Sequence, residues 1–203
     1  MNKNIIQVLS EEKLYPVIRQ KDAAKAEDIA NALIAGGIKI LEINIENSKM
    51  YEVIEKISKK AVVCAGSIIT SRQASAAFEA GAKIFSSPIF QMNMVKISKN
   101  MAVPFIASAA TANEAYSAWK ARIPLIKIFP AAALGGVSYI EDILRQMPFL
   151  KVLPMGNVKY NEAVSYITAG AAAVGIGRDL CECGNLSEIT EKTRHILNEL
   201  KQH

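Results

Sequence analysis

Eight short apolar runs recur along the chain, each separated from the next by a stretch with helical character, and this alternation limits the fold more than any other feature. The strand-like runs are Tyr15 to Arg19, Lys39 to Ile45, Val62 to Ile68, Ile84 to Ile89, Val103 to Ser108, Leu125 to Phe129, Lys151 to Met155 and Ala172 to Ile176. Between them lie Ala- and Glu-rich segments such as Asp22 to Ala35, Ser71 to Ala80 and Thr111 to Trp119. Polar starts suited to capping stand at Ser71-Arg72-Gln73, at Thr111-Ala112-Asn113-Glu114 and at Tyr160-Asn161-Glu162. Gly36-Gly37, Gly81 and Gly170 fall where helices should stop. An amphipathic segment around residues 3–12 reads as a short opening helix. Eight strand-helix units in 203 residues predict a single domain over 1–203, an α/β chain closed into one (β/α)8 TIM barrel. The competing architecture is a doubly wound open sheet, but no Gly-x-Gly-x-x-Gly turn follows the first strand.

Barrel strands alternate between the interior and the helix layer, so the pattern aims side chains. If Leu41, Ile43 and Ile45 face the helices, then Glu42, Asn44 and Glu46 turn toward the axis. In the sixth run Ile126 and Ile128 face the helices, and Lys127 and Phe129 point inward. An ammonium is costly in an apolar strand flanked by Pro124 and Pro130. Lys127 is therefore half of a buried ion pair, a side chain that reaches the strand end and snorkels out, or an amine that burial keeps neutral and able to attack a ketone. Placing Glu42 and Lys127 in one interior favours the catalytic reading, because an apolar pair would be at least as stable as an ion pair.

A barrel carries its active site at the C-terminal ends of its strands, where Arg19, Ser67, Pro88, Phe129 and Gly156 fall. Singly, Arg19 reads equally as a surface charge and Ser67 as a turn hydroxyl. The last two strands end in Pro154-Met155-Gly156-Asn157 and Val174-Gly175-Ile176-Gly177-Arg178, where small residues let backbone amides approach an anion or simply form turns.

Composition narrows the chemistry. The net charge of +5 is spread over segments that also carry Glu and Asp, which argues against nucleic acid as a partner and fits a small anionic substrate equally well. The first residues do not read as a signal peptide and no apolar run is long enough to span a bilayer, so no membrane partner is expected. Three unevenly placed cysteines point to a reducing compartment, hence the cytoplasm. The two histidines, His195 and His203, lie outside the strand-like runs, so neither a metal nor another cofactor is expected.

The residues resemble those of the 2-keto-3-deoxy-6-phosphogluconate and 4-hydroxy-2-oxoglutarate aldolases, small trimeric Schiff-base barrels. The similarity runs from about Tyr15 to Leu180 and rests on Pro16-Val17-Ile18-Arg19, Ala35-Gly36-Gly37, Leu41-Glu42-Ile43, Cys64-Ala65-Gly66-Ser67, Ala80-Gly81-Ala82, Ser87-Pro88, Ile126-Lys127-Ile128-Phe129-Pro130-Ala131 and Val174-Gly175-Ile176-Gly177. The resemblance implies Lys127 as the Schiff-base lysine, Glu42 as the general acid/base, and a homotrimer. It implies cleavage of a 2-keto-3-deoxy sugar acid to pyruvate and an aldehyde such as glyceraldehyde 3-phosphate. The alternatives are another 2-keto acid, such as 4-hydroxy-2-oxoglutarate or a phosphogalactonate analogue, and a non-catalytic barrel that binds a small anion.

The substrate shell departs from the family pattern. Glu46 stands where many members carry a carboxylate-binding Arg, and Arg19 matches a variant that places this arginine on the first strand. Ser67 replaces Thr, Ile89 follows Ser87-Pro88, Pro-Thr-Gly-Gly is reduced to Pro154-Met155-Gly156-Asn157, and Arg178 replaces a serine. With Arg19 and Ser67 on a carboxylate, and Gly156, Asn157, Gly177 and Arg178 on a distal anion, these charges suggest a substrate with one carboxylate and a remote phosphate. Glu46, read as a free charge near the mouth, would disfavour a compact dicarboxylate.

Overall fold

A computed structural model describes residues 5–202. Its eight strands are β1 Leu14–Ile18, β2 Ile40–Asn44, β3 Val62–Gly66, β4 Ile84–Ser86, β5 Phe105–Ala109, β6 Leu125–Ile128, β7 Val152–Pro154 and β8 Val174–Ile176. The α-helices are α1 Ile5–Glu12, α2 Ala23–Ala35, α3 Met50–Ile57, α4 Ser71–Glu79, α5 Met92–Asn100, α6 Ala112–Lys120, α7 Gly136–Gln146, α8 Ala163–Thr168, α9 Arg178–Cys181 and α10 Leu186–Leu200. The strands are parallel, in the order β7-β6-β5-β4-β3-β2-β1-β8. The bond from the Ala172 amide to the Val152 carbonyl (2.9 Å) spans the seam between β7 and β8. This is a (β/α)8 barrel.

The expected strands all form, but several stop earlier than their apolar runs. β3 ends at Gly66 because Ser67 takes φ 62°, a left-handed conformation that cannot continue a strand. Two helix starts obey their capping chemistry: Thr70 and Thr111 each accept from the third residue of the helix, whose side chain reaches back to the cap amide. The α4 cap is thus Thr70, one residue before the polar start read from the sequence. The opening helix is described from Ile5, and the earlier residues of the 3–12 segment lie outside the described part.

Alternation along the strands divides the apolar side chains into two layers. Leu41, Ile43, Val63, Ala65, Ile126 and Ile128 pack outward against the helices. Tyr15, Val17, Ile40, Cys64, Ile84, Ile106, Leu125 and Leu153 fill the inside. Leu9, from α1, is fully buried in this inner group, so α1 lies across the N-terminal end of the barrel. The opposite end, where all the strands point, stays open.

Candidate active site

The alternation that sends Ile126 and Ile128 outward leaves Lys127 inside, 5% exposed. Its Nζ donates to the Ser86 hydroxyl at 2.9 Å rather than pairing with a carboxylate, and lies 6.0 Å from the centre of the Phe129 ring. Ser86 comes from β4, two strands away, and is fully buried. Ser108, beside Lys127 in the β5–β6 register, donates to the Ser87 carbonyl at 2.7 Å. The amine is therefore held by a neutral hydroxyl, so the buried-ion-pair alternative loses its partner.

Glu42, on β2, is 2% exposed, and both of its oxygens are engaged. Oε2 accepts from the Tyr15 hydroxyl at 3.1 Å and faces the Cys64 thiol at 3.9 Å. Asn44, with its amide turned so that both ends are satisfied, donates to Glu42 Oε1 at 2.9 Å and to the Ser67 hydroxyl at 3.3 Å. The Asn44 oxygen accepts from Arg19 Nε at 3.2 Å. Room for this cluster comes from Gly66: a Cβ there would collide with the Asn44 amide and stand 2.7 Å from Glu42 Cδ. Burial, then Cys64 and Glu42, push the Tyr15 phenol well above its ordinary range, and burial followed by Glu42 does the same to the Cys64 thiol. Both therefore keep their protons and serve as donors.

Glu46 differs from the reading of the strand pattern. β2 ends at Asn44, and the Glu46 amide bonds back to the Asn44 carbonyl at 3.0 Å, so the alternation no longer applies at position 46. Glu46 does not join the interior. Its carboxylate pairs with Arg19 Nε at 3.2 Å on the rim, where the Arg19 side chain is 64% exposed. Glu46 is consequently a compensated charge.

Lys127 and Glu42 lie in one cleft of about 640 Å³ at the C-terminal end of the barrel, together with the other residues singled out from the sequence. Arg19, Ser67 and Pro88 line it, with the Phe129 ring beside the lysine. Gly156, Asn157, Gly177 and Arg178 line it as well, from the ends of β7 and β8. Gly156 has φ 101° and lies so close to Pro130 and Phe129 that a Cβ would meet them at 2.8 and 2.9 Å, so only glycine lets the chain after β7 pass there.

Sequence reasoning did not single out Ser86, Tyr15, Cys64 and Lys159 as site residues. Two of them were visible as inward positions of their strands, since Tyr15 and Val17 flank Pro16 and Cys64 lies between the outward Val63 and Ala65. Lys159 lines the cleft and pairs with Asp179 of α9 at 3.5 Å, a contact between the segment after β7 and a helix after β8 that no local pattern encodes. His195 lies on α10 outside the cleft, and His203 is outside the described residues. Among the described residues, no three His, Cys, Asp or Glu side chains gather as metal ligands, and no helix is long and apolar enough to cross a membrane.

Residues 5–194 match the family model described as "Aldolase: KDPG and KHG aldolase". A curated 2-dehydro-3-deoxy-phosphogluconate aldolase of Treponema pallidum (strain Nichols) is 30% identical over 166 residues, covering 80% of this chain and 79% of that protein. The KHG/KDPG aldolase of Escherichia coli (strain K12) is 27% identical over 203 residues, 96% of this chain and 95% of its own. Among solved structures, the KDPG aldolase of Legionella pneumophila, with pyruvate captured as a covalent carbinolamine intermediate, superimposes with a TM-score of 0.86 at 26% identity, covering 97% of this chain and 99% of that one.

Proposed function

Because the chain belongs to the KDPG and KHG aldolase family, we propose that it is a Schiff-base aldolase, cleaving a 2-keto-3-deoxy sugar acid to pyruvate and an aldehyde. The substrate we assign is 2-keto-3-deoxy-6-phosphogluconate or a close relative, with glyceraldehyde 3-phosphate as the second product. The observation that carries this reading is the buried Lys127 amine, held on the neutral Ser86 hydroxyl in the same cleft as Glu42. The Legionella pneumophila relative, with its covalent pyruvate carbinolamine, supports the same chemistry.

In this mechanism the Lys127 amine adds through its lone pair to the C2 ketone, giving a carbinolamine that loses water to a protonated imine. Glu42 moves the protons of those steps, then takes the proton of the C4 hydroxyl as the C3–C4 bond breaks. The bonding electrons pass into the imine, leaving an enamine, and the aldehyde departs. Protonation at C3 and hydrolysis of the imine release pyruvate and restore the amine. Arg19 and Ser67 hold the substrate carboxylate, and Pro88 and Phe129 wall the pyruvyl part. Arg178, with the backbone around Gly156, Asn157 and Gly177, faces the distal phosphate. We further assign the activity to one domain over 1–203, acting without metal or cofactor as a cytoplasmic homotrimer, the last by likeness to the family.

Two expectations test the site. Gly66→Ala drives a methyl group into Glu42 and Asn44, so it is expected to cut turnover by roughly two powers of ten, the usual cost of misplacing a reacting group by about 1 Å. Normal turnover in that variant would mean that the Glu42–Asn44 geometry is not needed. Arg19→Ala removes a ground-state contact to the carboxylate and should raise KM about ten- to a hundredfold with kcat little changed. Since Glu46 is compensated by Arg19, the preference against a compact dicarboxylate now rests on Arg178 and its neighbours. The ratio of kcat/KM for 2-keto-3-deoxy-6-phosphogluconate and 4-hydroxy-2-oxoglutarate measures it, and a ratio favouring the dicarboxylate would reverse the assignment.

A further inference from the structure

Tyr15 places a polar tip where a barrel interior offers no solvent. It is fully buried among Leu9, Ile40, Cys64 and Ile84, and a buried phenol needs a hydrogen-bond partner. That partner is Glu42 Oε2, at 3.1 Å. The register explains the approach. Val17 pairs with Glu42, and Tyr15 stands two residues earlier on β1, so its ring rises toward the carboxylate from the N-terminal end. Asn44 stands two residues beyond Glu42 on β2 and grips Oε1 from the mouth side.

We propose that Tyr15 is a positioning residue for the aldol reaction: it pins Glu42 Oε2 from the barrel floor, so that Oε1, toward the mouth, is the oxygen that exchanges protons with the substrate. The inference rests on the aldolase reading above. A phenol in this position never competes with Glu42 as a base, because burial and the neighbouring Cys64 and Glu42 keep its proton in place. Its hydroxyl is thus a permanent donor, which stops the carboxylate from rotating. The groups that face Glu42 are Tyr15 on β1, Cys64 on β3 and Asn44 on its own strand, with Arg19 behind Asn44 and Lys127 on β6 in the same cleft. Removing the Tyr15 hydroxyl therefore takes away one donor while the other contacts of Glu42 stay in place.

Tyr15→Phe keeps the ring that fills the floor and removes only the hydroxyl. Turnover is expected to fall about ten- to a hundredfold, with KM for the keto acid changed less than about twofold. Borohydride trapping of pyruvate on Lys127 should still reach completion. A purely structural Tyr15 would lower Tm but leave kcat in place, and that result overturns the inference. Should Tyr15→Phe fail to fold, 3-fluorotyrosine at position 15 preserves shape and strengthens the donor, so kcat should shift by about twofold or more while KM holds; an unmoved kcat overturns the inference equally. A missing pyruvate adduct in the unaltered protein sinks the aldolase reading and this inference together. Normal trapping and turnover there, with unchanged Tyr15→Phe kinetics, sinks this inference alone.

Discussion

Lys127→Met, which fills nearly the same volume without an amine, is expected to abolish the borohydride-trapped pyruvate adduct and to lower turnover by roughly four to six powers of ten, the scale seen when a covalent nucleophile is removed. The barrel should still fold. Lys127 is held by a single neutral partner, the Ser86 hydroxyl, so its removal strands no carboxylate, whereas breaking a buried ion pair would leave an uncompensated charge. Peptide mapping of the trapped, unaltered protein should place the added mass on Lys127. Label on another lysine would assign the chemistry elsewhere, and persistent turnover in Lys127→Met would remove the Schiff base from the mechanism.

Glu42→Gln has the second largest expected effect, a loss of roughly two to four powers of ten in turnover, as is usual for a positioned acid/base. It also has a structural signature. Tyr15 donates to one carboxylate oxygen and Asn44 to the other, while glutamine offers only one oxygen. Turning the Asn44 amide to accommodate it would present the Asn44 NH₂ to Arg19 Nε, a donor facing a donor. Folding stability should therefore drop by about 1–3 kcal/mol, the cost of one buried donor left unsatisfied. Thermal unfolding read beside steady-state kinetics separates the two effects. Turnover near that of the unaltered protein would return Glu42 to a structural role.

The directions of Lys127 and Glu42 were legible in the sequence because period-two alternation in a buried strand is a property of the backbone, which each strand obeys on its own. The same rule failed at Glu46, two residues past the end of β2, where a turn bond from its amide to Asn44 replaces the pleat. Ser86 was hidden because Ser86 and Ser87 are adjacent and only the register of a three-residue strand decides which of them meets the lysine. Strand ends were read too long where a non-glycine residue, Ser67, accepts a left-handed backbone. The chain of contacts from Glu46 through Arg19 and Asn44 to Glu42 joins two strands and a rim turn. No stretch of sequence states it, since each bond depends on how the neighbouring strands align.

Leu9 gives the far end of the barrel a part in the chemistry that no cleft residue can play. By sealing the floor with α1, it denies water a second entrance beneath Tyr15 and Glu42. Charges interact more strongly where the surroundings are less polarisable, so the electrical insulation of the reacting groups is set at the opposite end from the one the substrate enters. A defect in that seal would let solvent screen Glu42 from behind while every contact at the mouth stayed intact. Catalysis would then decline with substrate recognition preserved, and the cause would lie in a helix that never touches the substrate.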